Sequence, residues 1–313
     1  MPATINLSLI VPVYNEEDSL PILFNRLNKF HLDHSNKIQL EIIFVNDGSI
    51  DKSLNLLCQH IKNNAEYKAK LINFSRNFGH QAALLAGYKE ARGEVIGCMD
   101  ADLQDDPEHF IGMLLLWKAG HEVVYGVRSE RRNEGLLKKI TAAIYYRTLN
   151  IISDIQIPLD AGDFRIIDRK VLNILNQLNE KNKFIRGLIP WIGFKQIAYE
   201  YTRQGRAKGK TKYTLSKMIN LSLDGIISFS VKPLKYVLLL GMLSTLISST
   251  LAVIYLYIKL FTDIKLIPGF SALFIANLFL FSVVFFILGI ISIYLSRIYQ
   301  NTQNRPDFII END

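Results

Sequence analysis

The chain has 313 residues and only two cysteines, Cys58 and Cys98. That leaves no material for a disulfide framework and indicates no thiolate metal site. The N-terminus lacks a basic region followed by an apolar core and a cleavage site, so no secretory signal is read there. There is no glycine-rich dinucleotide fingerprint and no Walker loop, which weakens a simple NAD or ATP reading. The most informative lack is of charge. No charged residue occurs from Tyr236 to Ile258, and none from Leu266 to Ser296.

Each uncharged run is long enough to cross a hydrocarbon core of about 30 Å as a helix. Two buried core helices are the alternative. It fits poorly, because both runs are apolar on all faces and adjacent in sequence. The expectation is two membrane spans, at about 236–258 and 271–295, joined as a hairpin by residues 259–268. Lys208, Lys210, Lys212, Lys217, Lys232 and Lys235 crowd the approach to the first span, and Arg297 and Arg305 follow the second. The positive-inside rule then places the long N-terminal region and the tail in the cytoplasm. Residues 1–230 read as a soluble α/β domain, and residues 231–313 as a transmembrane domain with a short tail. Two basic amphipathic stretches, about 133–152 and 212–229, read as helices lying on the membrane surface. The net charge is +7. A membrane partner is expected, and no nucleic acid.

In chain order, Leu7-Ser8-Leu9-Ile10-Val11-Pro12-Val13 reads as a strand that stops at Tyr14-Asn15-Glu16-Glu17. A helix follows from about Ser19, with Leu20, Leu23, Phe24 and Leu27 at helical spacing. A second strand, 41–45, ends at Asn46-Asp47-Gly48-Ser49. A third, 69–74, ends at Ser75-Arg76-Asn77-Phe78-Gly79. A fourth, 95–99, ends in acid. Strand, loop and helix repeated four times predict a parallel sheet, with its polar loops at one edge. That edge is where open α/β sheets bind ligands. Asn15 and Glu16 could hold a base or ribose there. Asp47 could accept hydrogen bonds from a base, and Arg76 could face phosphate.

The fourth loop is Asp100-Ala101-Asp102-Leu103-Gln104-Asp105-Asp106-Pro107. Asp100 and Asp102 are two residues apart at a strand end, where both carboxylates can converge on one cation. Hard oxygen ligands suit Mg2+ or Mn2+, which keep positions open for phosphate oxygens. A solvated acidic loop capping the helix near Pro107 is the plainer reading.

Val11-Pro12-Val13-Tyr14-Asn15-Glu16-Glu17, Val45-Asn46-Asp47-Gly48-Ser49-Ile50-Asp51, Ser75-Arg76-Asn77-Phe78-Gly79-His80-Gln81 and Met99-Asp100-Ala101-Asp102-Leu103-Gln104-Asp105 together resemble the motifs of family 2 inverting glycosyltransferases. The subgroup they resemble is the polyisoprenyl-phosphate glycosyltransferases, which includes dolichol-phosphate mannose synthases. The two C-terminal spans make the chain most similar to the bactoprenol glucosyltransferase (GtrB-like) branch. The resemblance implies a GT-A domain, the Rossmann-like nucleotide-diphospho-sugar transferase fold. It makes Pro12, Tyr14, Asn15, Glu16, Asp47, Arg76 and Ala101 nucleotide contacts. Asp100 and Asp102 become metal and diphosphate residues, with Gln104 close to the metal or the acceptor phosphate. Asp160-Ala161-Gly162-Asp163-Phe164-Arg165 looks like the acceptor-side aspartate loop, which puts Asp163 beside Asp100 and Asp102 as a catalytic candidate. Phe184-Ile185-Arg186-Gly187-Leu188 and Trp191 resemble the next element.

The implied reaction moves a sugar, with UDP-glucose favoured as donor, onto undecaprenyl phosphate at the cytoplasmic face of a bacterial inner membrane. GDP-mannose or a UDP-aminosugar is the alternative donor, and a non-catalytic nucleotide-binding scaffold the alternative class. Arg128, Arg131 and Lys139 suit the acceptor phosphate, because clustered cations do. The glycine-rich basic loop bearing Arg203 and Lys212 suits a lid over the donor diphosphate. A lipid phosphate is largely dianionic at neutral pH, so Asp163 can orient the sugar or acceptor rather than abstract a proton. The resemblance also implies a homo-oligomer, a tetramer in related proteins.

Overall fold

The computed structural model describes residues 4–64, 66–128, 162–178, 180, 183–202, 232–261 and 269–311. The amphipathic stretches expected at 133–152 and 212–229 lie outside the described residues. The chain divides into two compact units, one holding the first 225 residues, apart from 151–154, together with the segment after Asn304, the other 226–304 with 151–154.

The first unit is built on a seven-stranded sheet. Its strands are β1 (Ile5–Val13), β2 (Ile38–Asn46), β3 (Lys68–Asn73), β4 (Val95–Cys98), β5 (Val123–Arg128), β6 (Arg165–Asp168) and β7 (Gln196–Tyr201). Their order across the sheet is β3-β2-β1-β4-β6-β5-β7. The first four pair in parallel, as the strand–loop–helix repeat predicts. β6 then enters antiparallel between β4 and β5. No periodicity in the sequence marks that insertion, because β6 has only four residues, Arg-Ile-Ile-Asp.

β1 is buried along nearly its whole length, as a central strand covered on both faces must be. β2 starts earlier than its apolar run, at Ile38. Gln39 is exposed and Glu41 half-buried there, so the first turn of the strand alternates and reads as loop in the sequence. Four helices follow the first four strands: α1 (Leu20–His34), α2 (Ser53–Asn63), α3 (His80–Glu90) and α4 (His109–Lys118). Then come α5 (Arg169–Gln177) and α6 (Ile185–Ile192). Asp168 starts α5 by accepting from Lys170 N, and its carboxylate also accepts from Trp117 Nε1 at 2.8 Å.

Gly97 shows how tightly β4 is covered. A Cβ there would sit 3.0 Å from the Phe110 ring, so the absence of a side chain lets α4 lie close on the strand. Phe110 is fully buried, and its ring packs 4.9 Å from that of Phe164.

The second unit consists of α7 (Lys232–Phe261) and α8 (Phe270–Thr302), which touch each other. Both are long and apolar enough to cross a membrane. A core helix of a water-soluble protein would be mostly covered. Here Leu238, Leu239, Phe279, Phe281, Phe285 and Phe286 are exposed, an apolar surface far larger than water tolerates. Polar side chains on these helices turn inward to their own backbone. Thr245 Oγ1 donates to Gly241 O at 2.9 Å, and Thr250 Oγ1 to Leu246 O at 2.8 Å. Such back-bonding satisfies a hydroxyl where no water is at hand.

Phe110→Ala removes a fully buried ring from the floor of the acidic loop. It should cost about 3–5 kcal/mol of stability, read as a lower midpoint in chemical unfolding followed by far-ultraviolet circular dichroism.

Candidate active site

The four loops after β1, β2, β3 and β4 meet at one edge of the sheet, and the first three are laced together by hydrogen bonds. Pro12 is buried in β1, and Tyr14, just beyond it, is exposed. Asn15 takes a positive φ of 53°, which an asparagine tolerates better than most residues. Its backbone N–H donates to Ser49 Oγ, and its side-chain oxygen accepts from Ile50 N at 2.9 Å. Glu16 N donates to the buried Ser53 Oγ, and the Glu16 carboxylate accepts from Ser19 Oγ. Asn15 and Glu16 therefore tie the first loop to the second and to the start of α1.

Asp47 organises the second and third loops. It is 3% exposed. Its Oδ1 accepts from Phe78 N at 2.7 Å, and its Oδ2 from Gly79 N at 3.0 Å and Asn77 Nδ2 at 2.9 Å. Burial pushes its carboxyl up from the ordinary value, and the two backbone N–H groups work against that. With its oxygens so engaged, Asp47 fixes the shape of residues 77–79. Gly48 completes the junction. It has φ +65°, and a Cβ there would fall 2.3 Å from the Arg76 carbonyl carbon. Arg76 lies at the rim, its guanidinium 4.0 Å above the Phe78 ring.

The acidic loop follows β4. Asp100 and Asp102 are half-exposed, Ala101 between them is buried, and Gln104 N donates to Asp102 Oδ1. Leu103 has φ 64°. That conformation is costly for a branched side chain and persists only where the surroundings impose it. Arg26 NH1 donates to Leu103 O, and Tyr201 OH donates to buried Asp105 at 2.6 Å. The loop is thus pinned from α1 on one side and from β7 on the other.

Asp163 is brought beside this loop by the antiparallel β6. The pairing sets Cys98 opposite Arg165, and Cys98 Sγ donates to Asp163 O. The Asp163 side chain is 5% exposed and is gripped by His80 and Arg186, with Arg165 NH2 a third cation 3.8 Å from Oδ1. Arg186 Nε and NH2 donate to its two oxygens at 3.0 and 2.7 Å. His80 Nε2 lies 3.0 Å from Oδ2 and 3.8 Å from Asp100 Oδ1. Burial opposes the charge of Asp163, but Arg186 and His80 outweigh it and hold the carboxyl well below its ordinary value. Burial likewise opposes a charged His80; Asp163 and Asp100 overcome it and raise the imidazole to about 9. Withdrawal from water pushes Asp100 up, His80 counteracts this, and the neighbouring carboxylates of Asp163, Asp102 and Asp105 add to it.

Asp100, Asp102 and Asp163 are therefore assembled with the loops carrying Tyr14, Asp47 and Arg76 along the same edge. Arg128 ends β5 at that edge, paired with Tyr201 of β7. Arg131, Lys139, Arg203 and Lys212 lie outside the described residues. Trp191 is exposed at the end of α6. The motifs give His80 and Arg186 no role of their own: His80 is the last residue but one of the third motif, and Arg186 lies within Phe184-Ile185-Arg186-Gly187-Leu188. Each is a cation distant in sequence from its aspartate, by 83 residues for His80 and 23 for Arg186, and only folding brings them together.

Arg186→Ala would leave Asp163 buried with its two-bond partner removed and only His80 and the more distant Arg165 beside it. We expect a loss of about 3–5 kcal/mol, measured as a lowered unfolding midpoint. Arg186→Lys should recover only part of it, because one ammonium does not reproduce a two-bond fork.

The family model described as glycosyl transferase family 2 matches residues 8–175. The uncharacterized glycosyltransferase YkcC of Bacillus subtilis is 47% identical over 99% of this chain and 95% of its own length. A prophage bactoprenol glucosyl transferase homolog of Escherichia coli is 35% identical over 97% of this chain and 98% of its own. The bactoprenol glucosyl transferase of Shigella phage SfV is 34% identical over 98% of each. The mixed sheet, with its Asp-Ala-Asp turn after the fourth strand, is the GT-A arrangement that the motifs implied. The chain belongs to glycosyl transferase family 2 and is a glycosyltransferase.

Proposed function

We propose that the protein transfers a sugar, glucose from UDP-glucose in first place, onto undecaprenyl phosphate with inversion at the anomeric carbon. The observation that carries this reading is the extent of the similarity. Relatives named bactoprenol glucosyl transferase align with 97–98% of the chain, so the match includes the membrane-length helices as well as the sheet. An acceptor with a polyisoprenyl tail gives those helices a purpose. The reaction then takes place at the cytoplasmic face of a bacterial inner membrane, with both termini on that side. The working form is a homo-oligomer, a tetramer by analogy with the branch.

The donor set suits a hard divalent cation, Mg2+ or Mn2+. Asp100 and Asp102 are half-exposed at a strand end and offer the carboxylate oxygens that such an ion takes. No cluster of three or more His, Cys, Asp or Glu side chains forms a cage among the described residues, so phosphate oxygens of the donor would complete the coordination. When bound, such an ion would neutralise charge developing on the diphosphate leaving group.

The other steps belong to the chain. The loops bearing Pro12, Tyr14, Asn15, Glu16, Asp47 and Ala101 shape the nucleotide pocket, with Arg76 at its phosphate side. Asp163, with both oxygens held by Arg186 and His80, is a poor proton acceptor. It orients the sugar or acceptor, and the lipid phosphate, whose second pKa is near about 6, attacks as an already ionised nucleophile. Arg128, Arg131 and Lys139 receive that phosphate, with Gln104 close by. Arg203 and Lys212 close over the donor diphosphate.

Transfer of radiolabelled sugar from UDP-glucose to undecaprenyl phosphate tests the reading directly. Asp100→Asn and Asp102→Asn should each lower turnover by about a hundredfold or more, and EDTA should do the same to the unmodified protein. Full activity in EDTA would remove the metal from the mechanism.

The two half-sites should separate in kinetics. Arg128→Ala should raise the apparent KM for polyprenyl phosphate by roughly tenfold to a hundredfold and leave UDP affinity nearly unchanged. Asp47→Ala should weaken UDP binding in calorimetry and spare the lipid KM. The opposite pattern would reverse the assignment.

A further inference from the structure

The segment that follows α8 returns to the first unit and packs on the free edge of its sheet. Ile310 bridges antiparallel to Phe74, at the end of β3. Ser75 N donates to Ile309 O at 3.1 Å, and Glu311 N to Asn73 O at 2.8 Å. The edge that β3 would otherwise leave open is thus partly paired. We infer that residues 305–311 are a positioning strap for the donor loop, with Phe308 and Glu311 setting the conformation of residues 75–79.

Two chains of contact lead from the strap to that loop. The first is aromatic. Phe308 stacks on Phe74 at 5.0 Å, Phe74 meets Phe78 edge-on at 5.7 Å, and Phe78 lies beneath the Arg76 guanidinium. Phe74 is 1% exposed, so taking Phe308 away uncovers a ring on which Phe78 rests. Lys89 Nζ, 5.0 Å from the Phe308 ring, covers its other side. The second chain is polar. Asn73 Nδ2 donates to Glu311 Oε2 at 2.8 Å, and Asn46 Nδ2 donates to Asn73 Oδ1 at 2.7 Å. Asn46 Oδ1 in turn accepts from Ser49 N. Both chains end on residues flanking Asp47, whose carboxylate depends on the Phe78 and Gly79 N–H groups for its geometry.

The strap's contacts run to β3, to Lys89 of α3 and to the start of the third loop, so its effect is expected on that half of the site. The inference rests on the reading of the Asp47 loops as the donor pocket. It adds that donor affinity depends on a segment more than 200 residues away in sequence, since Asn73 and Glu311 are 238 apart. Because the strap continues directly from α8, the membrane-length helix and the donor loop are joined by only a few residues.

The test uses the full chain in detergent, with Phe308→Ala, Phe308→Tyr, Glu311→Ala and Glu311→Gln. Hydrogen exchange of the 75–79 peptide reports the loop without any ligand, calorimetry with UDP and with GDP reports the donor side, and KM for polyprenyl phosphate reports the acceptor side. Phe308→Ala should speed exchange at 75–79 and weaken nucleotide binding about three- to tenfold, the range expected for losing one aromatic pair. Its lipid KM should stay unchanged. Phe308→Tyr and Glu311→Gln should restore both readouts, since each keeps the ring or the acceptor oxygen. Unchanged exchange in Phe308→Ala would overturn the inference. So would faster exchange with unaltered nucleotide affinity, or an equal loss on the acceptor side, which would mean general destabilisation. If the unmodified protein binds neither UDP nor GDP, the donor reading itself falls, and the exchange experiment alone decides whether the strap holds the loop.

Discussion

A buried carboxylate must be compensated, and the candidate site is arranged around one. Asp163 is almost fully withdrawn from water, yet held charged by a two-bond fork from Arg186 and by His80. Neither cation is its neighbour in sequence. The arrangement requires α3 and α6 to converge on the turn before β6, and requires β6 to lie antiparallel against β4. Removing one partner would leave an uncompensated charge, which costs far more than the intact group contributes. The antiparallel strand, the helix contacts and the acidic loop are therefore coupled through one side chain. His80, 3.8 Å from Asp100, extends that coupling to the carboxylates that remain half-exposed.

The carboxylates fall into two physical kinds. Asp47, Asp105 and Asp163 are buried, and each is engaged by donors from a different element: the third loop, Tyr201 of β7, and Arg186 with His80. They fix loop shape. Asp100 and Asp102 remain half-exposed, and partial withdrawal from water, with the neighbouring carboxylates adding to it, raises the pKa of Asp100 against the pull of His80. On the proposed reading the two kinds divide the work: the first would hold the frame still, and the second would meet charge developing on the donor diphosphate. Leu103, in a left-handed conformation between them, is the local cost of turning a buried strand sharply into an acidic loop.

The second unit differs in its surface. Among the described residues its helices expose many leucines and phenylalanines, and Thr245 and Thr250 fold their hydroxyls back onto their own helix's carbonyls. The exposed apolar surface is what a membrane-spanning helix would present, and the back-bonding is compatible with it. Gly241 has nothing within 4 Å of where a Cβ would sit, so the small residues of α7 are not used for close approach at that point within a single chain.

Much of this was legible in the residues themselves. The four βα units announce their strands by apolar runs and their loops by polar ones, because a parallel strand covered on both faces has no polar position to spare. The motifs around Asp47 and Asp100 stand at strand ends for the same reason, and the two charge-free runs need only their length and composition to be recognised. What the sequence could not hold is the partnership between distant groups. β6 is too short to carry a period. The grip of Arg186 and His80 on Asp163 spans 23 and 83 residues, and the packing of Phe308 on Phe74 brings the C-terminal segment to the end of the third strand. Local propensity reaches only as far as one turn of helix or the next residue pair in a strand. Which cation compensates a buried carboxylate, and which ring covers another, was decided only when the sheet closed and brought those side chains within reach.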